Sequence, residues 1–152
     1  ESILIEHAYF LPNRQLKSAL VRASKRGVQV EVITPGDKID TAVVREVSKT
    51  HWPELMAAGA KIYEFQPSMM HGKLLVIDDE LSIIGSGNFD DRSFFLNDEL
   101  NVVVLGKDFA LRQRAMFEAD RARSKRMTRK DARVQLLEIP RRFVGKLIEP
   151  QL

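Results

Sequence analysis

The sequence predicts an α/β fold, a layered α/β/α sandwich built on a mixed, mostly parallel sheet. Three observations carry that expectation. Short runs that alternate or cluster apolar residues, at 3–7, 28–33 and 61–65, are separated by stretches with apolar residues at three-and-four spacing. A strand, a helix and a strand at such spacing close into a right-handed parallel unit. Two further apolar runs, LLVI and LSII, flank Asp78-Asp79-Glu80 and read as strands joined by a tight reversal, which adds antiparallel neighbours.

The elements follow in order. The first strand gives way at Ala8-Tyr9-Phe10-Leu11-Pro12 to a loop whose Asn13 caps a helix over 14–26, with Leu16, Ala19, Leu20 and Ala23 inward and Gly27 as its stop. His7 reads as an ordinary strand residue. After VQVEVI, a turn at Thr34-Pro35-Gly36-Asp37 leads to Asp40 or Thr41 as the cap of a second helix reaching to about residue 58, which Pro53 kinks or restarts. His51 and Trp52 lie there without a second metal-type residue at a helical offset, so both read as packing or surface residues. Gly59 ends the helix, and Gln66-Pro67-Ser68 leads from the third strand into the central hairpin.

At 152 residues, with 44% hydrophobic and 30% charged residues, the chain has the size and composition of one globular domain with a real core. It contains no cysteine. Disulfides, zinc-thiolate sites and a cysteine nucleophile are thereby excluded, while the compartment stays open. No apolar run has the length of a membrane span, and the start does not resemble a signal peptide. Glu1 running straight into a strand reads as a cut, so a longer parent protein is expected. The net charge of +3 is unevenly spread: residues 1–120 hold 14 basic against 18 acidic side chains (−4), and 121–152 hold 10 against 3 (+7).

The segment HGKLLVIDDELSIIGSGN, residues 71–88, carries the chemistry. Side chains alternate along a strand, so His71 and Lys73 point one way and Asp78 the other. A loop of two or four residues would set His71 opposite Asn88 and Lys73 opposite Ser86; a loop of three would break that register. An imidazole attacks phosphorus or shuttles a proton, a lysine supplies fixed positive charge, and an amide and a hydroxyl donate to phosphoryl oxygens. That set requires neither a metal nor another cofactor. Gly72, Gly85 and Gly87 keep the neighbouring backbone slim enough for a phosphate to approach.

These residues resemble the phospholipase D superfamily, whose signature is H-x-K, four residues, D, six residues, then G-S-x-N. His71, Lys73, Asp78, Gly85, Ser86 and Asn88 fill every fixed position. At roughly 5% usage per residue type, a chance match is on the order of 10⁻⁸ per starting point. The resemblance implies a phospholipase D-like half with His71 as a catalytic histidine, Lys73 and Asn88 as phosphate ligands and Ser86 beside them. Asp78 joins the catalytic set as part of the signature, although alternation turns it from the phosphate face and gives it a structural part. A carboxylate beyond G-S-x-N orients a catalytic histidine in this superfamily, and Glu99 occupies that place. An anionic partner fixes the tautomer of an imidazole and stabilises its charged form.

The wording around the motif narrows the resemblance. Tyr9-Phe10-x-Pro12, Arg26-Gly27-Val28-x-Val30, Lys61-Ile62-Tyr63-Glu64, Asn88-x-Asp90-x-Arg92-Ser93-Phe94 and Leu96-Asn97-x-Glu99 look like the C-terminal half of bacterial cardiolipin synthases, from about residue 3 to 124. Gly87, Phe89 and Asp98 depart from that pattern and bear on lipid preference. The family works with two such motifs, and this chain has one: Tyr9 follows His7 and Pro53 follows His51 where a lysine would be needed. A nucleophile committed to phosphorus cannot also protonate the leaving alkoxide. The second motif is therefore expected from an N-terminal half of a longer chain or from a second copy in a homodimer.

The expected organisation is a catalytic domain over 1–124 and a basic helical extension over 125–152. RARSKRMTRKDAR carries seven basic residues and one acid; a solvated helix face is the plainer reading, and contact with anionic headgroups the other. The acidic first 120 residues disfavour a nucleic-acid groove. The reading is a phosphatidyltransferase of cardiolipin-synthase type, acting on anionic phospholipid at the cytoplasmic face of the bacterial inner membrane, peripheral or anchored by a segment outside this chain. The alternatives are a homodimeric phosphodiesterase or nuclease and a non-catalytic half that stabilises a partner.

Overall fold

The computed structural model describes residues 1–132. β1 (Ser2–His7) is the middle of a seven-stranded sheet, because its residues are apolar on both faces: Leu4 and Ile5 are fully buried on opposite sides. On one side of β1 lie β2 (Gln29–Pro35), β3 (Lys61–Phe65) and the short β7 (Ser124–Arg126); on the other lie β4 (Lys73–Ile77), β5 (Leu81–Gly85) and β6 (Asn101–Leu105). β1–β2 and β2–β3 pair in parallel, whereas β1–β4, β4–β5, β5–β6 and β3–β7 are antiparallel. The sheet is mixed as expected, but its parallel share is smaller than expected. One cause is local: a three-residue reversal joins β4 to β5 and permits only antiparallel pairing, whereas β6 returns antiparallel to β5 after the longer connection through 86–100.

The helices cover both faces, giving the three layers. α1 (Arg14–Lys25) starts where Asn13 accepts a hydrogen bond from Leu16 N at 3.0 Å and stops at Gly27, whose φ of 91° suits only glycine well. The expected second helix is two, α2 (Ala42–Lys49) and α3 (Trp52–Ala57), with Pro53 in the first turn of the restarted one, where its missing N–H has no partner to lose. α1 and α3 share a core with Ile5, Val30, Val32, Ile62 and Phe89 on one face. On the other face α5 (Lys107–Ala122) places Ala110 and Phe117 against Leu4, Ile33, Leu74 and Val76.

Charges taken inside are paired. Glu31, fully buried, receives Arg121 at 2.7 Å, Lys61 at 2.9 Å and Gln29 at 2.8 Å, and these donors hold its carboxyl below the usual range against the opposing effect of burial. Glu6 is the opposite case. Burial, with the Asp120 carboxylate nearby, raises its pKa from 4.5 to about 7. A carboxyl raised on folding keeps its proton in the folded chain after the unfolded chain has lost it, so stability falls as pH rises from about 4.5 to about 7. Urea melts across that window are expected to show the decline in the native chain and its loss in Glu6→Gln.

The expected division at residue 124 falls inside β7, which pairs Ser124, Lys125 and Arg126 with β3. The segment after α5 thus begins as an edge strand where a helix was expected. Residues 133–152, including the rest of the expected extension, lie outside the described residues.

Candidate active site

The end of β1 frames the site from both arms of the motif. Ala8 N donates to Gly72 O at 3.0 Å and holds the first arm; Phe89 N donates to Tyr9 O at 3.0 Å and Leu11 N to Phe89 O at 2.8 Å, which holds the second. Phe10 and Phe89 stack at 5.4 Å beneath that bridge. Lys73 opens β4, so His71 and Lys73 stand at the end of the sheet where β1, β2 and β3 finish, the crevice in which open α/β sheets place ligands.

The reversal between β4 and β5 is Asp78-Asp79-Glu80, a loop of three residues with Leu81 opposite Ile77. Asp78 and Asp79 take φ of 55° and 57°, a left-handed pair that short acidic side chains tolerate. The register expected from an even loop is therefore corrected. Continued by one step, the observed pairing sets Gly85 opposite Lys73, and Ser86 falls just beyond β5. Gly85 has a close-approach reason to be glycine: a Cβ there would meet Leu100 O at 2.2 Å and Asn101 Oδ1 at 2.3 Å.

Lys73 is nearly buried and His71 is exposed. Lys73 Nζ donates to His71 O at 3.0 Å and stands 2.6 Å from His71 Nδ1. An ammonium can only donate, so Nδ1 is the acceptor in this arrangement and the proton of a neutral His71 sits on Nε2. Burial lowers the pKa of Lys73, while Glu99 and Asp40 oppose that effect. The Tyr9 ring stands edge-on to His71 at 6.2 Å, and its hydroxyl donates to Asp40 Oδ2 at 2.6 Å. Among the described residues no cluster of three or more His, Asp or Glu could hold a metal ion.

Glu99 has a different neighbourhood from the one its expected role suggests. Ser86 Oγ donates to it at 2.5 Å, Ser93 Oγ at 2.8 Å and Asn97 Nδ2 at 3.3 Å, and the Ser86 and Ser93 bonds foremost hold its carboxyl below the usual range. His71 is not among these partners. Ser86, expected as a phosphate ligand, spends its proton on Glu99 and accepts Leu100 N at 3.0 Å; it holds the carboxylate in place. Asp78, expected in the catalytic set, lies at the far end of β4 and accepts Ser2 N at 2.6 Å, while Asp78 N donates to Ser2 O at 3.0 Å. It ties the hairpin turn to the start of β1, the structural part that alternation implies.

Asn88 is fixed through its backbone, whose N–H donates to Ser93 Oγ at 2.9 Å, and its side-chain Oδ1 is buried without a partner among the described residues. Sequence reasoning quoted Ser93 without a role; the structure makes it the joint between Asn88 and Glu99. Asp90, which caps α4 (Asp91–Phe95) by accepting Ser93 N at 2.8 Å, was the available signal. Asn101, which alternation places on the same strand face as Asn97 and Glu99, gains a role as well: its Oδ1 accepts Gly87 N at 3.3 Å.

The family described as "Cardiolipin synthase, PLD-like domain" matches residues 1–121. The chain is 43% identical over 123 residues to Minor cardiolipin synthase ClsB of Bacillus subtilis, covering 81% of this chain and 31% of that protein. It is 37% identical over 153 residues to Cardiolipin synthase 1 of Staphylococcus epidermidis, covering 100% of this chain and 31% of the relative. The chain thus spans about a third of the length of these relatives. Among solved structures, Nuc from Salmonella typhimurium, a phospholipase D family member, superposes with a TM-score of 0.70 at 21% identity, over 83% of this chain and 81% of that one. Phosphatidylserine synthase of Haemophilus influenzae gives 0.68 at 14% identity, over 97% of this chain and 38% of that one, and both likenesses are of fold. With its intact motif on this fold, and by the match over residues 1–121, the chain belongs to the phospholipase D-like domain family of cardiolipin synthases.

Proposed function

We propose that this chain is one catalytic half of a phosphatidyltransferase of cardiolipin-synthase type. The observation that carries the reading is the pairing of an exposed His71 with a nearly buried Lys73, 2.6 Å apart, at the end of the sheet framed by the arm that bears Asn88. A histidine of the pair of motifs attacks the phosphorus of one phosphatidylglycerol. A P–N bond forms, the P–O bond to glycerol breaks, and the leaving oxygen takes a proton from the other motif's imidazole. A hydroxyl of a second phosphatidylglycerol returns its proton to that imidazole, bonds to phosphorus and releases the histidine, giving cardiolipin. Lys73 and Asn88 bind phosphoryl oxygens and stabilise the charge that builds on them.

Three observations support a second motif outside this chain. His71 is the only histidine here with a lysine two residues on. Glu99 is held by Ser86, Ser93 and Asn97 and leaves His71 to Lys73, which suits a carboxylate that orients the partner motif's histidine; the partner's carboxylate would in turn take Nδ1 of His71. An exposed apolar band also begins at the site, with Phe95 73% and Leu100 76% exposed, and runs along the edge strand β6 to Leu105 at 78%. Apolar surface of that extent marks an interface. Its occupant in this reading is the second phospholipase D-like half.

The substrate is anionic phospholipid, and the place of work is the cytoplasmic surface of the bacterial inner membrane. No helix among the described residues is long and apolar enough to cross a bilayer. One observation favours a second reading, a homodimeric phosphodiesterase or nuclease: this chain matches 81% of the length of Nuc. Assembled enzyme assayed on phosphatidylglycerol vesicles and on single-stranded DNA, with its mass from sedimentation, separates the two. Transfer between lipids in the presence of a chelator is the expected result. Cleavage of DNA alone by a dimer of this chain, or loss of transfer on chelation, sinks it.

A further inference from the structure

Four buried side-chain polar atoms have no hydrogen-bond partner among the described residues: His7 Nδ1, Glu46 Oε2, Ser82 Oγ and Asn88 Oδ1. Two of them belong to His7 and Asn88, which the pairing of His7 with Lys73 and its ring contact with Phe89 bring to the same end of the sheet. His7 ends β1 directly beside Lys73 in the antiparallel register, and residues so paired project from the same face. Its ring meets Phe89, the neighbour of Asn88 in sequence, edge-on at 5.2 Å. His7 is 7% exposed, so water at the surface does not satisfy it.

An apolar side chain could fill this slot between Lys73 and Phe89 without leaving a nitrogen unpaired. Burying an imidazole nitrogen costs free energy unless a partner arrives, and such groups in native proteins call for a named partner. We propose that His7 is a further ligand of the phosphoryl group, its ring N–H donating to an oxygen of the phosphodiester alongside Lys73 and Asn88. The signature does not include it. Burial and the Lys73 charge push its pKa down to about 3, so His7 meets an arriving substrate as a neutral imidazole. A neutral donor adds a hydrogen bond without repelling the Lys73 ammonium, which a second cation beside it would do. The same low pKa makes His7 a poor proton acceptor and leaves acid and base chemistry to the motif histidines.

This inference rests on the phosphoryl-transfer reading above, so its test has one arm that needs no turnover. In the full-length assembled enzyme with ring-15N histidine, the His7 signals are assigned by their loss in His7→Phe, and inorganic phosphate is titrated in. The expected result is that the His7 ring nitrogens shift together with those of His71, while His51 stays put. Phosphate that moves His71 and leaves His7 unmoved overturns the proposal; phosphate that moves neither overturns the phosphoryl site itself.

The second arm is steady-state transfer. His7→Phe keeps the ring and its contact with Phe89, and is expected to lower kcat/KM about tenfold to thirtyfold, the worth of one hydrogen bond to a charged group. His7→Asn, which places an amide N–H near the Nδ1 position, is expected to recover to within about threefold. Comparable thermal midpoints show that both variants fold. A His7 that only packs gives the reverse order, with the phenylalanine variant as active as the native enzyme and the asparagine variant worse.

Discussion

His71→Ala in the assembled enzyme lowers lipid transfer by roughly 10⁴- to 10⁶-fold, the range seen when a histidine that makes or protonates the broken bond is removed. The imidazole is exposed, and its recorded partner is the Lys73 ammonium, which keeps its bond to the backbone oxygen of residue 71. Folding stability should therefore move by no more than about 0.5 kcal/mol, as at most surface positions. The measurement is transfer of labelled phosphatidyl groups beside a urea melt. Collapse of both activity and stability would make His71 a structural residue, and retained transfer would remove it from the chemistry. Asp78→Asn is the companion: it loosens the tie to Ser2 and should reduce stability while turnover of the folded fraction persists.

Trp52→Ala is expected to cost about 3–5 kcal/mol of folding stability, the usual loss for a large aromatic removed from a closed core. Trp52 is fully buried at the start of α3, and its Nε1 donates to Ser48 Oγ at 3.1 Å. Ser48 Oγ in turn donates to Phe10 O at 2.8 Å. Phe10 stacks on Phe89, and Phe89 precedes α4, which carries Ser93, and the segment after it, which carries Glu99. The substitution thus removes a core side chain and frees the hydroxyl that holds the bridge under the site. Urea denaturation reads the stability, and transfer measured well below the melting range should show a raised KM as the Asn88 arm loosens. A loss under 1 kcal/mol would mean that Trp52 closes no essential part of this core.

Much of the fold was legible because its signals are local. Alternation marked β1 through β3, Asn13 and Gly27 bracketed α1, and Pro53 divided the second helical stretch, each an effect that acts within a few residues. The motif was legible for a different reason: the spacing from His71 to Asn88 is a fixed pattern within eighteen residues, and the family match over residues 1–121 includes it. Ser86 and Glu99 were identified as important, but their joint role was not legible. Thirteen residues separate them, and only the turn through α4 brings the hydroxyl to the carboxylate.

By itself the sequence determined the fold class, the first strands and α1 between them, and the motif that places the chain in its family. The tertiary structure alone decided the hairpin register, the short β7 on the far edge, the separation of Glu99 from His71 and the position of His7 beside Lys73. The physical reason is that a period of two tells each strand which face to bury and nothing about its neighbour or its stagger. Those are settled by long-range pairing and by whether two aspartates in succession accept positive φ, and here both do.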